Sequence, residues 1–199
     1  MEGSTIYARR FYNDLLVSTL EEKGEQKFFV VSDRLQTIRE AQLKVNLLDF
    51  EGHSLWNRDQ NIVVTAMSSK SYLRLPMKAA LSENDPRKVF LVVELLIGSG
   101  KSVSLNEYFF KPYKELVLPR PNISVKVVPT RTGFTIELSS DKLARAVYLA
   151  APNYAGSFSD NYFDLIPGTR VKVSFVRRGE IGLRAFEKHL TVRSLADAF

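Results

Sequence analysis

The sequence predicts an all-β protein made of two tandem antiparallel sandwiches, with a short helix near the C-terminus. Three observations predict it. Apolar residues alternate with polar ones, as at Leu43, Val45, Leu47 and at Leu91, Val93, Leu95, which is the period of a half-buried strand. Turn formers separate these runs at short spacing, a sandwich signature. Midway, Lys111 to Pro121 holds three prolines in eleven residues, which fix φ and remove backbone donors, so no regular element is expected through them.

In the first half, strands are predicted near Leu15–Glu22, Gln26–Ser32, Glu40–Leu48, Ser54–Val64, Ser69–Leu75, Val89–Ile97 and Ser102–Phe110. The turns between them have fitting chemistry: Glu22-Lys23-Gly24-Glu25, Asp49-Phe50-Glu51-Gly52 and Gly98-Ser99-Gly100-Lys101. Met77–Leu81 reads as a helical turn ending before Asn84-Asp85-Pro86. Seven strands over this length match the immunoglobulin-like size class. Trp56, the single tryptophan, reads as a half-buried wedge.

The second half begins with Ile123, Val125 and Val127 on one face of a strand. Gly133–Ser140 follows, with Phe134, Ile136 and Leu138 inward, then Ala144–Ala151. Phe158 to Gly168 organises this half. Ser159-Asp160-Asn161 forms a polar turn, Phe163 and Leu165 point to the core from a short strand, and Pro167-Gly168 sets the next turn. Tyr162, Asp164 and Ile166 are expected on the opposite face. Arg170–Val176 places Val171, Val173 and Phe175 inward. Leu183–His189 has helical apolar spacing, and Leu190–Ser194 reads as a last strand. The expected division is an incoming segment at 1–14, an immunoglobulin-like sandwich at 15–112, a proline-rich linker at 113–121 and a smaller sandwich at 122–199. The aromatics flanking Arg9-Arg10 suit a segment arriving from a preceding domain.

Composition narrows the chemistry. The 199 residues are 45% hydrophobic and 25% charged, ordinary for a globular chain. No apolar run approaches the roughly 18–20 residues of a membrane helix, and Met1-Glu2-Gly3-Ser4 does not open a signal peptide. With no cysteine, disulfides and thiol catalysis are excluded. Two histidines, His53 and His189, make a transition-metal site unfavourable. The net charge of +6 is concentrated in the second half, but basic residues are scattered singly or in pairs. That reads as solvated strand faces rather than a nucleic-acid surface.

Gly98-Ser99-Gly100-Lys101-Ser102 resembles the end of a phosphate loop, but Leu95 stands where its first glycine belongs, and Val103 to Tyr108 alternates like a strand. A hairpin turn is the simpler reading. Asp160 and Asp164, with Asp33 and Asp141, are the nearest carboxylates to a glycosidase pair. They read more simply as turn and strand residues. No Gly-x-Ser-x-Gly elbow occurs. Asn122-Ile123-Ser124 is a glycosylation sequon only where the source adds such glycans.

Several landmarks in order resemble the C-terminal β-domains of family 2 β-mannosidases. These are Tyr7-Ala8-Arg9-Arg10-Phe11, Val30 to Leu35, Leu48-Asp49-Phe50-Glu51-Gly52 with Leu55-Trp56, and Glu107 to Pro112. Leu118-Pro119-Arg120-Pro121, Leu138 to Ala144, Phe158 to Gly168 and Leu190 to Leu195 complete the series. The resemblance implies a parent that removes terminal non-reducing β-D-mannose, with both catalytic glutamates on a (β/α)₈ barrel that this chain does not contain. It therefore implies no catalytic, cofactor-binding or metal-binding residue here and no cofactor. The implied role is a scaffold whose partner is the parent's catalytic barrel. Glycans would be met through the parent, with no nucleic acid and no membrane, and a periplasmic, secreted or lysosomal parent fits. The alternative is a carbohydrate-binding module stacking sugars on Tyr154, Tyr162 or Trp56. A free-standing adhesion pair is a weaker third reading.

Overall fold

The structure, a computed structural model, describes residues 14–198. Apart from Asp14, the expected incoming segment lies outside these residues. The described residues form two compact units, one of residues 14–49 and 53–117, the other of 118–198 together with 50–52.

The first unit has seven strands: β1 (Leu15–Glu22), β2 (Glu25–Ser32), β3 (Ile38–Asp49), β4 (Ser54–Val64), β5 (Ser68–Pro76), β6 (Val89–Ile97) and β7 (Lys101–Phe109). They form a three-stranded sheet, β1-β2-β5, and a four-stranded sheet, β4-β3-β6-β7. All pairings are antiparallel. Lys23 (φ 53°) and Gly24 (φ 77°) close the β1–β2 hairpin. Two consecutive left-handed residues match the right-handed twist of the strands they join. Helix α1 (Met77–Leu81) follows β5. The alternation seen in the sequence becomes the core: Leu43, Val45 and Leu47 from one sheet meet Phe28 and Val30 from the other, all fully buried. Trp56 packs against this core, and its Nε1 donates to the Ala80 carbonyl (3.1 Å). After β7, Tyr113–Glu115 forms one 3₁₀ turn behind Pro112. The turn lies between Pro112 and Pro119 and runs through neither, since a proline just ahead of a helical turn removes no bond that the turn needs.

The second unit has β8 (Ile123–Thr130), β9 (Gly133–Ser140), β10 (Ala144–Ala150), β11 (Gly156–Phe158), β12 (Phe163–Leu165), β13 (Val171–Arg177), α2 (Leu183–His189) and β14 (Thr191–Arg193). Its sheets run β11-β13-β9-β8 and β12-β10-β14. Phe134, Ile136 and Leu138 face Val147, Leu149, Phe163 and Leu165 across the core. Phe186 of α2 is fully buried and stacks on Phe134 with ring centroids 4.3 Å apart. The short helix thus closes one side of the sandwich as an apolar plug. Ile123, Val125 and Val127 do share a face, but Val125 is 41% exposed, because β8 is the last strand of its sheet.

Candidate functional site

The stretch expected to organise the second unit does so through side chains acting as backbone. Asn161 Nδ2 donates to the Leu149 carbonyl (2.9 Å), and its Oδ1 accepts from the Leu149 N–H (2.6 Å). One amide therefore pairs with β10 as a strand residue would. The Tyr162 N–H then donates to the Val147 carbonyl (2.8 Å). Tyr162 adopts φ 60°, which turns the chain into β12. The pairing of β10 with β12 is irregular between Ala144 and Val147, and Ala146 sits at φ 47°. This is a bulge, which bends and re-aims its strand.

Asp164 fixes that bulge. Its Oδ1 accepts from the Ala146 N–H (2.7 Å), and its Oδ2 lies 3.0 Å from Arg145 Nε. The side chain is 12% exposed. The expectation of an outward strand residue is thus corrected: a bulge leaves a backbone donor without a ladder partner, and the carboxylate fills that place. Asp160 is a turn former, accepting from the Asn161 N–H (2.8 Å). Pro167 and Gly168 (φ 77°) form the following turn, with Thr169 N–H donating to Ile166 (3.0 Å).

The other candidate carboxylates lie elsewhere. Asp141 accepts from the backbone N–H and side-chain amide of Asn122, both at 2.7 Å. These bonds hold its carboxyl below the usual carboxylate range, the backbone bond contributing most. This clip occupies the side chain of the sequon asparagine. Asp33 is exposed in the first unit, its N–H donating to the Asp14 carbonyl (2.9 Å). The Arg87 side chain pulls Asp85 down to about 2 by hydrogen bonding, and Lys27 and Lys172 lower Glu22 and Glu137 in the same way. Each of these carboxyls is thereby kept ionised, whereas a glycosidase acid must be held protonated near neutral pH. The Tyr108 hydroxyl is displaced upward, to about 12, by burial and a hydrogen bond to Glu21.

The histidines are not brought together as ligands. His53 Nδ1 lies 2.9 Å from Asp49 Oδ2, while His189 Nδ1 lies 2.9 Å from the Ala185 carbonyl and 3.2 Å from the Tyr154 hydroxyl. Among the described residues, no group of three or more His, Asp or Glu is placed to hold a metal ion. The Gly98–Gly100 stretch is the β6–β7 turn, with both glycines at positive φ.

The three candidate stacking aromatics differ. Trp56 is a half-buried wedge, and Tyr154 packs its ring on Phe186 and His189. Tyr162 is 46% exposed and stacks on Tyr148 of β10, with ring centroids 5.1 Å apart. Sequence reasoning missed Tyr148, whose outward place on β10 follows from alternation with Val147 and Leu149. Its pairing with Tyr162 depends on the bulge and is not written in either segment alone.

These features define a class: two immunoglobulin-like sandwiches whose polar clusters hold backbone. Residues 24–115 match the family model of a mannosidase Ig/CBM-like domain, and residues 118–198 match the Ig-fold domain model of mannosidases. The chain belongs to the tandem immunoglobulin-like domains of the family 2 mannosidases. No curated protein matches it by sequence. Among solved structures, a β-D-mannosidase from Dictyoglomus thermophilum superposes with a TM-score of 0.79 at 23% identity, covering 98% of this chain and 23% of that one. The exo-chitosanase CsxA from Amycolatopsis orientalis superposes with a TM-score of 0.61 at 12% identity, covering 96% and 26%. The chain thus spans about a quarter of the length of the structures it matches.

Proposed function

We propose that this chain is the non-catalytic C-terminal part of a β-mannosidase, acting as scaffold for a (β/α)₈ barrel that carries the chemistry. The observation that carries this reading is the pair of consecutive mannosidase-domain matches over 24–115 and 118–198. The polar clusters support it, because Asp164, Asn161 and Asp141 are each committed to holding backbone. The parent then hydrolyses terminal non-reducing β-D-mannose, and this chain contributes stability to it.

Two measurements test the proposal. The purified chain is expected to release no chromophore from a chromogenic β-mannoside. The parent enzyme cut before this chain is expected to melt lower and lose activity. Turnover by the chain alone, or a truncated parent as stable and active as the whole, overturns the reading. The Tyr148–Tyr162 stack favours a second reading, a carbohydrate-binding module, since exposed tyrosines offer apolar faces with polar tips. Saturable binding of manno-oligosaccharides that is lost in Tyr148→Ala separates it from a pure scaffold.

A further inference from the structure

Among the described residues, the second unit has an open seam. Strand β8 is the last strand of one sheet and β14 the last of the other; among the described residues each pairs on one side only, with β9 and β10 respectively. Between them runs a groove of about 460 Å³, floored by Ile123, Val125 and Val127 of β8 and by Leu190 and Val192. Its charged lining residues are Glu187 and Asp197, with no lysine or arginine, in a chain with 28 basic residues against 22 acidic ones. Pro121 precedes β8 and Pro129 lies near its end, which leaves residues 123–128 as the edge with backbone donors throughout. Edge strands are ordinarily blunted by proline, charge or cover. Strand β8 carries one charge, Lys126, on the face opposite Val125, and among the described residues Val125 stays 41% exposed.

A bare edge offers backbone donors and acceptors at strand spacing, and alternate side chains of an added strand fall on one face. We propose that this seam accepts an extended segment of a partner protein, with apolar residues at alternate positions and a lysine or arginine against Glu187 and Asp197. The added strand continues the β11-β13-β9-β8 sheet and covers Val125. A second copy of this chain suits the seam poorly, since a two-fold contact sets the same acidic rim against itself. A sugar suits it poorly too, because the lining has no aromatic ring. The inference rests on the second unit's geometry and stands apart from the mannosidase reading.

The test uses the full chain and a capped synthetic peptide, Lys-Val-Thr-Val-Thr-Val-Lys, followed by amide hydrogen exchange and NMR titration. Saturable binding is expected, with protection at residues 123–128. Binding should weaken about tenfold, a step of about 1.4 kcal/mol, in Val125→Asp and when the central valine of the peptide is proline. In the Glu187→Lys variant, preference should pass to the same peptide carrying glutamate in place of lysine. Glu187 lies on the exposed face of α2, so that variant keeps its fold. The proposal is overturned by absence of saturable binding, by protection elsewhere, or by indifference to both variants. A concentration-dependent dimer that protects residues 123–128 without peptide also overturns it.

Discussion

Gln26 lies on β2 with no exposed surface, and neither its Oε1 nor its Nε2 has a hydrogen-bond partner among the described residues. A buried amide in that state costs roughly 1–3 kcal/mol. Methionine has nearly the same reach without the polar atoms. Gln26→Met is therefore expected to raise stability by about 1–2 kcal/mol, read as a higher urea midpoint at unchanged slope. Phe163 is the opposite case. It is 1% exposed in the smaller core, and Phe163→Ala is expected to cost about 3–5 kcal/mol. Because small domains have little stability to spare, the melting curve of the second unit should collapse; an unchanged curve removes Phe163 from the core. Phe163 and Leu165 were legible from alternation alone. Asp164 between them was not, since its role depends on a bulge in a strand nearly twenty residues upstream by number.

At the scale of the element, the β10–β12 junction holds because one side chain stands in for a strand. Asn161→Ala removes both bonds to Leu149 and leaves its N–H and carbonyl without a protein partner. A loss of about 2 kcal/mol is expected, measured by denaturant unfolding; a loss below the scatter of surface substitutions refutes the stand-in role. The Asn122–Asp141 clip carries a pH signature. The folded-state pKa of Asp141 is lowered, so the clip contributes fully above the unfolded carboxylate value of about 4 and is lost as pH falls through the depressed value. Urea midpoints should decline below about pH 4, less steeply in Asp141→Ala. A wild-type and variant difference that is the same at every pH sinks the assignment. Strand β3 was legible from its alternation, and β6 from a near-continuous apolar run, which leaves its second face, with Phe90, largely covered. Strand β8 was legible as a strand but not as an edge, because edge position is set by which strands pair elsewhere. The 3₁₀ turn at Tyr113–Glu115 was not legible because proline forbids continuation more strictly than it forbids a start.

Over the whole chain, the sandwich architecture was legible because alternation and turn chemistry agree at nearly every step. The proposed scaffold role was not legible from composition. It came from the order of landmarks and from the family models that cover both units. A site built on rigid strands leaves its polar groups aimed at a reacting centre. Here Asp164, Asn161 and Asp141 are turned onto the chain itself, which fits the scaffold proposed above.

The two-residue β1–β2 turn has a kinetic consequence. Lys23 and Gly24 bring β1 and β2 together over a very short span, so this hairpin forms on a microsecond scale. Strand β2 must then wait for β5, which arrives only after β3 and β4 have been laid down in the chain. Closing that larger loop sets the pace, and the first sheet assembles in two beats, a fast ribbon and a slow third strand.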